Sequence, residues 1–320
     1  MQVDAAQFRP EAIDDETREA NATLEALLAG APSVLEHTPR EIRDARERGE
    51  SVFGPIQRLD HAATRAIPGP SGDLRLRVLR PASETRGVYL HLHGGGWTLG
   101  AEDQQDALLN GLARDAGLAV ASLGYRLAPE NPYPAAPDDC EAAALWLIEH
   151  AGRLLGSDRL LIGGESAGAH LAAVTLLRLR DRHGEVPFLG ANLVYGCYDL
   201  TLTPSARSWG ERNLVLSTPI IEWFADHFVP DPTLRRHPDV SPLHAALHGL
   251  PPALFTVGTL DPLVDDSLFM AARWEAAAGR AELAVHPGGV HGFTLFPTRL
   301  AEEAHRRQIA FIRSCLEDAT

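Results

Sequence analysis

The sequence predicts an α/β fold, a mostly parallel sheet of about eight strands covered by helices on both faces. Three observations predict it. Short apolar runs alternate with helical segments over most of the chain. One of those helices is apolar nearly all round (Ala169, Leu171, Ala172, Ala173, Val174, Leu176 and Leu177), as a helix buried against a sheet should be. Finally, 320 residues at 45% hydrophobic and 22% charged can bury the large core such a sheet requires, and a disordered chain is excluded.

Taken in order, residues 1–50 read as acidic and helical. Leu24, Leu27 and Leu28 give a partial apolar face, and a charged helix starts on Pro39 and is ended by Gly49. So few apolar residues cannot form a core, so this segment is expected to lie over the rest as a cap. Strands are expected at 58–67, 74–79 and 88–92, with Pro68-Gly69-Pro70-Ser71-Gly72 as the turn between the first two. Then come a strand at 118–123, a helix at 137–150, a strand at 160–163, a helix at 166–181 and a strand at 191–195. Residues 201–230 break the alternation. This partly helical, Pro-bounded stretch carries Trp209, Trp223, Phe224 and Phe228. It follows a strand's carboxyl end, where open α/β sheets place their ligand crevice, and it is expected to be a second piece of cap with aromatics facing an apolar pocket. The alternation resumes with a strand at 253–257, a helix at 265–278, a strand at 281–285 and a helix at 299–317. The expected organisation is cap helices at 1–50, a core in two parts at 51–200 and 231–320, and a cap insertion at 201–230.

Composition removes several classes of function. A net charge of −14 and a pI near 5.4 argue against nucleic acid or an anionic membrane as partner. Every basic residue is arginine, and the absence of lysine excludes a P-loop lysine, a pyridoxal-phosphate Schiff base and a Ser-Lys dyad. Cys140, Cys197 and Cys315 lie far apart and read as reduced, buried thiols. The first 20 residues have no apolar leader, and no apolar run approaches the roughly 18 residues a spanning helix needs, so a cytoplasmic protein is expected. His91 and His93 form an H-x-H pair without further ligand-spaced side chains, so no metal is expected. Glu165 occupies the second glycine position of a would-be G-x-G-x-x-G, which disfavours a dinucleotide. No cofactor is expected.

The chemistry centres on Gly164-Glu165-Ser166-Ala167-Gly168, a G-x-S-x-G between the strand Leu160-Leu161-Ile162 and the apolar helix. So tight a strand-to-helix turn strains the serine backbone and holds Oγ up into the site. Small residues two before and two after are expected so that they do not meet across the turn. The following helix N-terminus favours negative charge in front of the serine. Such a serine needs a base, a residue to orient that base, and donors for an oxyanion. His291, in a Gly-rich loop after the last strand, is the favoured base over His286, which adjoins Pro287 at the strand's end. Asp261, directly after a strand, is the favoured orienting acid. Asp265 and Asp266 compete, but they read as the first turn of the next helix. His93-Gly94-Gly95-Gly96-Trp97 follows the third strand, and successive glycines let backbone N–H groups approach an oxyanion.

These residues resemble the hormone-sensitive lipase-like family of α/β-hydrolase esterases over roughly residues 75–315. The resemblance rests on five motifs in one order: His93 to Trp97, Tyr125 to Ala136 (YRLAPENPYPAA), Gly164 to Gly168, Asp261 to Asp265 (DPLVD), and His291-Gly292-Phe293. It implies Ser166 as nucleophile, His291 as general acid/base, Asp261 as its partner, and an oxyanion hole from the amides of Gly95, Gly96 and Ala167. It also implies a cap from the N-terminal helices and the 201–230 insertion and a homodimer through the last strand and helix; the pocket is expected to draw on Trp97, Tyr195, Trp209, Trp223 and Phe224. The chain departs from the family pattern at Ala169, where many relatives have glycine, and at Tyr195 to Asp199, which replaces a more usual Pro-containing segment. The expected activity is hydrolysis of short- to medium-chain or aryl esters of small molecules through an acyl-enzyme. Amidase or arylformamidase activity is the alternative on the same fold, and a non-catalytic small-ligand receptor is the alternative of another class.

Overall fold

The central strands are buried on both faces, which is why they read as continuous apolar runs rather than as alternations. In the computed structural model, residues 3–52 and 54–318 are described. The strands are β1 (Ala63–Ile67), β2 (Leu74–Leu79), β3 (Gly87–Leu92), β4 (Leu118–Gly124), β5 (Leu160–Glu165), β6 (Phe188–Val194), β7 (Ala253–Leu260) and β8 (Ala281–Val290). They form one sheet in the order β1-β2-β4-β3-β5-β6-β7-β8. β1, β2 and β4 pair antiparallel, and the pairs from β4 through β8 are parallel.

The helices are α1 (Asp15–Ala29), α2 (Pro39–Glu47), α3 (Asp106–Ala116), α4 (Ala135–Leu155), α5 (Ala167–Arg178), α6 (Pro204–Ser208), α7 (Thr218–Phe228), α8 (Val264–Ala278) and α9 (Arg299–Glu317). Alternate strand residues point to opposite layers. Val88, Leu90, Leu92, Ala119, Ala121 and Ile162 pack with Leu147 of α4, Leu171 of α5 and Trp274 of α8. Tyr89, Leu118, Val120, Leu161 and Leu254 pack with Leu109 and Ala113 of α3 and Phe311 and Ile312 of α9. Among the described residues, no helix is long and apolar enough to cross a membrane.

Four local expectations are corrected. α3 was not foreseen between β3 and β4, because Gly111 interrupts a Leu108-Leu109-Leu112-Ala113-Ala116 stripe that otherwise has helical spacing. The first strand begins at Ala63, not at 58: the Leu59 N–H donates to Asp106 Oδ2 (2.8 Å) and its carbonyl accepts from the Arg77 guanidinium (2.9 Å), so its backbone is bound by side chains instead of a ladder. β8 runs on to Val290, with a register shift between Gly258 and Leu260 of β7. α5 stops at Arg178, whose guanidinium is held by Asp138, Glu141 and Asp239, and a wider helical turn at Leu179–His183 follows.

The N-terminal segment lies against the sheet's far end. Leu24 of α1 packs with Val194, Tyr195, Val257, Val285 and Val290. Asn21 donates to the Gly288 carbonyl (2.8 Å) and Gln7 to that of Val285 (3.2 Å). α2 starts in a capping box between Thr38 and Glu41, and its Arg43 pairs with Glu130 and donates to the Thr98 carbonyl (2.8 Å).

Candidate active site

Ser166 sits between β5 and α5 with φ 56° and ψ −119°, a conformation that a residue bearing a Cβ holds only when its surroundings over-determine it. Its N–H donates to the Val194 carbonyl (2.8 Å), and its carbonyl accepts from His170 N–H (3.1 Å). The flanking glycines are needed for the expected reason, since a Cβ at Gly164 would lie 2.9 Å from the Gly168 carbonyl carbon, and for a stronger one besides. A Cβ at Gly168 would lie 1.8 Å from the Leu92 carbonyl oxygen, and one at Gly164 would lie 2.0 Å from the same atom. The end of β3, more than contact across the turn, forbids side chains there.

His291 follows β8, and its Nε2 is 2.9 Å from Ser166 Oγ. Its Nδ1 is 2.9 Å from Oδ2 of Asp261, at the end of β7. The other Asp261 oxygen accepts the Leu263 N–H (2.8 Å). With Nδ1–H donated to a buried carboxylate, the Nε2 lone pair faces the serine hydroxyl. The competing residues are engaged elsewhere. His286 lies within β8 beside Phe293 (ring centroids 5.1 Å apart), where burial pushes its pKa down to about 4. Asp265 accepts the Ser205 N–H (2.8 Å). Asp266, fully buried, accepts the N–H groups of Tyr198 (2.6 Å) and Asp199 (2.9 Å) and the Thr203 hydroxyl (2.6 Å), and burial pushes its pKa up to about 7. Both acids therefore tie the 201–230 insertion to the start of α8.

The glycine loop after β3 turns tightly. Gly95 (φ 112°) accepts from Leu99 N–H (2.8 Å), and a Cβ there would lie 2.4 Å from the Leu99 carbonyl oxygen. At Gly96 (φ 57°) a Cβ would lie 2.1 Å from the Phe224 ring, so α7 rests directly on the loop. A Cβ at Gly94 would lie 3.0 Å from the Glu165 carbonyl oxygen and 3.6 Å from Ser166 Cβ, so the loop runs close to the serine. Beneath them, the His93 ring stacks on Tyr125 (4.1 Å), whose hydroxyl donates to the His93 carbonyl (2.8 Å). Burial pushes His93 down to about 4.

The five pocket candidates separate. Phe224 touches the loop. Tyr195 is buried with its ring 4.9 Å from that of His291 and its hydroxyl 2.6 Å from Thr294 Oγ1. Trp97 is buried too, stacked on Phe228 (4.6 Å) and donating to His170 Nδ1 (3.1 Å). Trp209 donates to the Arg212 carbonyl (2.7 Å), and Trp223 packs edge-on against Phe224 (5.1 Å). Sequence reasoning missed Thr294 and the His91–Glu165 contact. Phe228, expected at the pocket with the other aromatics of the insertion, instead stacks on Trp97.

A mostly parallel sheet with a strained serine on a strand-to-helix turn, a histidine and an acid after the last two strands, and a glycine loop after β3 defines an α/β-hydrolase. Residues 89–295 match the family described as alpha/beta hydrolase fold, and the chain is 37% identical over 253 residues to the carboxylic ester hydrolase LipN of Mycobacterium tuberculosis, covering 76% of this chain and 67% of that one. It belongs to the hormone-sensitive lipase-like family of α/β-hydrolase esterases and is a carboxylesterase. It is also 35% identical over 287 residues to the ethyl acetate hydrolase of Pseudomonas putida, with 85% and 90% covered. Among solved structures, a hyperthermophilic esterase from the archaeon Pyrobaculum calidifontis superposes with a TM-score of 0.85 at 31% identity, over 92% of this chain and 97% of that one.

Proposed function

We propose that this carboxylesterase hydrolyses short- to medium-chain or aryl esters with Ser166 as nucleophile, His291 as general acid/base and Asp261 as the residue that orients it. The observation that carries this reading is the continuous chain Ser166 Oγ–His291–Asp261, 2.9 Å at each link. His291 Nε2 takes the hydroxyl proton as Oγ attacks the ester carbonyl, and the imidazolium is stabilised by Asp261. The amides of Gly95, Gly96 and Ala167 stabilise the oxyanion of the tetrahedral intermediate, Ala167 doing so from the first turn of α5. Collapse expels the alcohol, which leaves with the proton from His291. Water then enters, gives its proton to His291 and attacks the acyl-enzyme, and the acid departs as Ser166 regains the proton.

The N-terminal helices and the 201–230 insertion form the cap in this reading, and Phe224 against Gly96 limits the room beside the reacting carbonyl. That narrowness favours small acyl groups over long lipid chains. The relatives named for ethyl acetate and for acetyl esters support the same size class.

The test is hydrolysis of p-nitrophenyl esters of increasing acyl length by wild type and Ser166→Ala. Wild-type turnover that is strongest on short chains, with Ser166→Ala at or near the uncatalysed rate, is the expected outcome. Turnover retained in Ser166→Ala would remove the serine mechanism.

A further inference from the structure

We propose that His91 and Glu165 are positioning residues for the reaction: together they lock the strand that carries the nucleophile to the strand that leads into the oxyanion loop. This rests on the reading of Ser166 as nucleophile.

The geometry is a row of polar side chains across the carboxyl end of the sheet. His91 of β3 is paired in register with Ser122 of β4 on one side and Gly163 of β5 on the other. Its Nδ1 lies 2.9 Å from Ser122 Oγ, and its Nε2–H donates to Glu165 Oε2, also at 2.9 Å. His91 and Ser122 are fully buried and Glu165 is 8% exposed. Gly163, directly beside His91, adds no side chain in the way. Three adjacent strands are thereby fastened together by side chains as well as by their ladders.

What this row fastens is specific. Glu165 is the residue before Ser166, and His91 is two residues before His93, where the loop of Gly94, Gly95 and Gly96 begins. Gly94 runs so close that a Cβ there would lie 3.0 Å from the Glu165 carbonyl oxygen and 3.6 Å from Ser166 Cβ. The separation between Oγ and the loop amides is therefore set by how the ends of β3 and β5 sit against one another. The Glu165 side chain itself faces the α3 and α9 side of the sheet. There it borders a cavity of about 230 Å³ that Tyr89, Asn192, His305 and Gln308 also line. It acts on turnover through the backbone and not by touching substrate. A strained serine persists only if its neighbours over-determine it. The Ser166 N–H bond to Val194 ties the elbow to β6, and the Glu165–His91 bond ties it to β3.

Loss of the lock loosens the transition-state geometry while leaving ester binding intact, so kcat falls and KM does not. The experiment compares wild type, His91→Phe, His91→Gln and Ser122→Ala on p-nitrophenyl acetate. A p-nitrophenyl phosphonate titrates the competent serines, so turnover is expressed per reactive serine. His91→Phe keeps the ring and removes both hydrogen bonds. Its kcat per titrated serine is expected to fall about 10-fold or more with KM within about twofold, since small misplacements of reacting groups have effects of that order. His91→Gln returns an N–H donor to Glu165 and is expected to recover most of the loss. Ser122→Ala removes only the outer bond and is expected to lower kcat about threefold.

A His91→Phe enzyme that turns over per titrated serine within about twofold of wild type overturns the proposal. So does a loss confined to the fraction of titratable serines, because that is a folding effect alone. If His91→Phe does not fold, Ser122→Ala with an unchanged kcat does the same. Turnover surviving in Ser166→Ala is a different failure, since it would remove the nucleophile and leave the lock nothing to position.

Discussion

Asp261 uses its two carboxylate oxygens for two purposes. One accepts the Leu263 N–H and fixes the loop after β7, and the other faces His291 Nδ1. Asp261→Asn keeps an oxygen for the loop but can present an amide to the imidazole, which then carries its proton on the wrong nitrogen. We expect kcat to fall on the order of 10⁴-fold with little change in melting temperature. Retained activity would mean that another group orients the base. The positions of Ser166, His291 and Asp261 were legible because each lies in a short local motif at a strand end. The work of Asp265 and Asp266 was not, because their partners at 198–205 lie some 60 residues away in sequence. The His91–Glu165 contact was hidden for the same reason: it joins two strands that become neighbours only in the sheet.

At the scale of elements, the alternating pattern located the central strands because burial on both faces makes them apolar throughout. It failed where backbone groups are satisfied by side chains, as at Leu59, and where a glycine interrupts a good stripe, as in α3. The insertion shows what pattern alone cannot supply. Its aromatics suggested a place over the sheet's carboxyl end, but its attachment also draws on two acids of α8, Asp265 and the fully buried Asp266. Asp266→Ala strands the N–H groups of Tyr198 and Asp199 and the Thr203 hydroxyl, all in buried surroundings. Leaving such donors unpaired costs about 1–3 kcal/mol each, so we expect at least about 2 kcal/mol less stability in denaturant unfolding. Cleavage by protease between α6 and β6 should also become faster. A loss below about 1 kcal/mol would mean that water replaces the carboxyl and that the insertion is held by its apolar contacts.

At the scale of the whole molecule, the buried histidines set how the fold responds to acid. Burial pushes His93, His170 and His286 down to about 4, from an ordinary value of 6.5. It moves His305 in the same direction. Between those values the unfolded chain binds protons that the folded one refuses, so stability is fully present above the unfolded value and is lost as pH falls through the window. Asp266 opposes this. Raised from 3.8 to about 7, it holds in the folded state a proton that the unfolded chain releases over the same range. The three histidines near 4, set against Asp266, account for a net uptake of about two protons on unfolding, or roughly 3 kcal/mol lost per pH unit where the uptake is complete; His305 adds to it, and Glu102, whose pKa burial raises, subtracts from it. Guanidinium unfolding at about pH 7, 6 and 5 measures this slope. His286→Gln tests its source, since this side chain stands outside the Ser166–His291–Asp261 chain. The variant should unfold with about one proton less uptake, flattening the slope by about 1.4 kcal/mol per pH unit. It should also retain most esterase activity. An unchanged slope would mean that His286 is protonated alike in both states, and a loss of activity as deep as that of His291→Ala would make it the base.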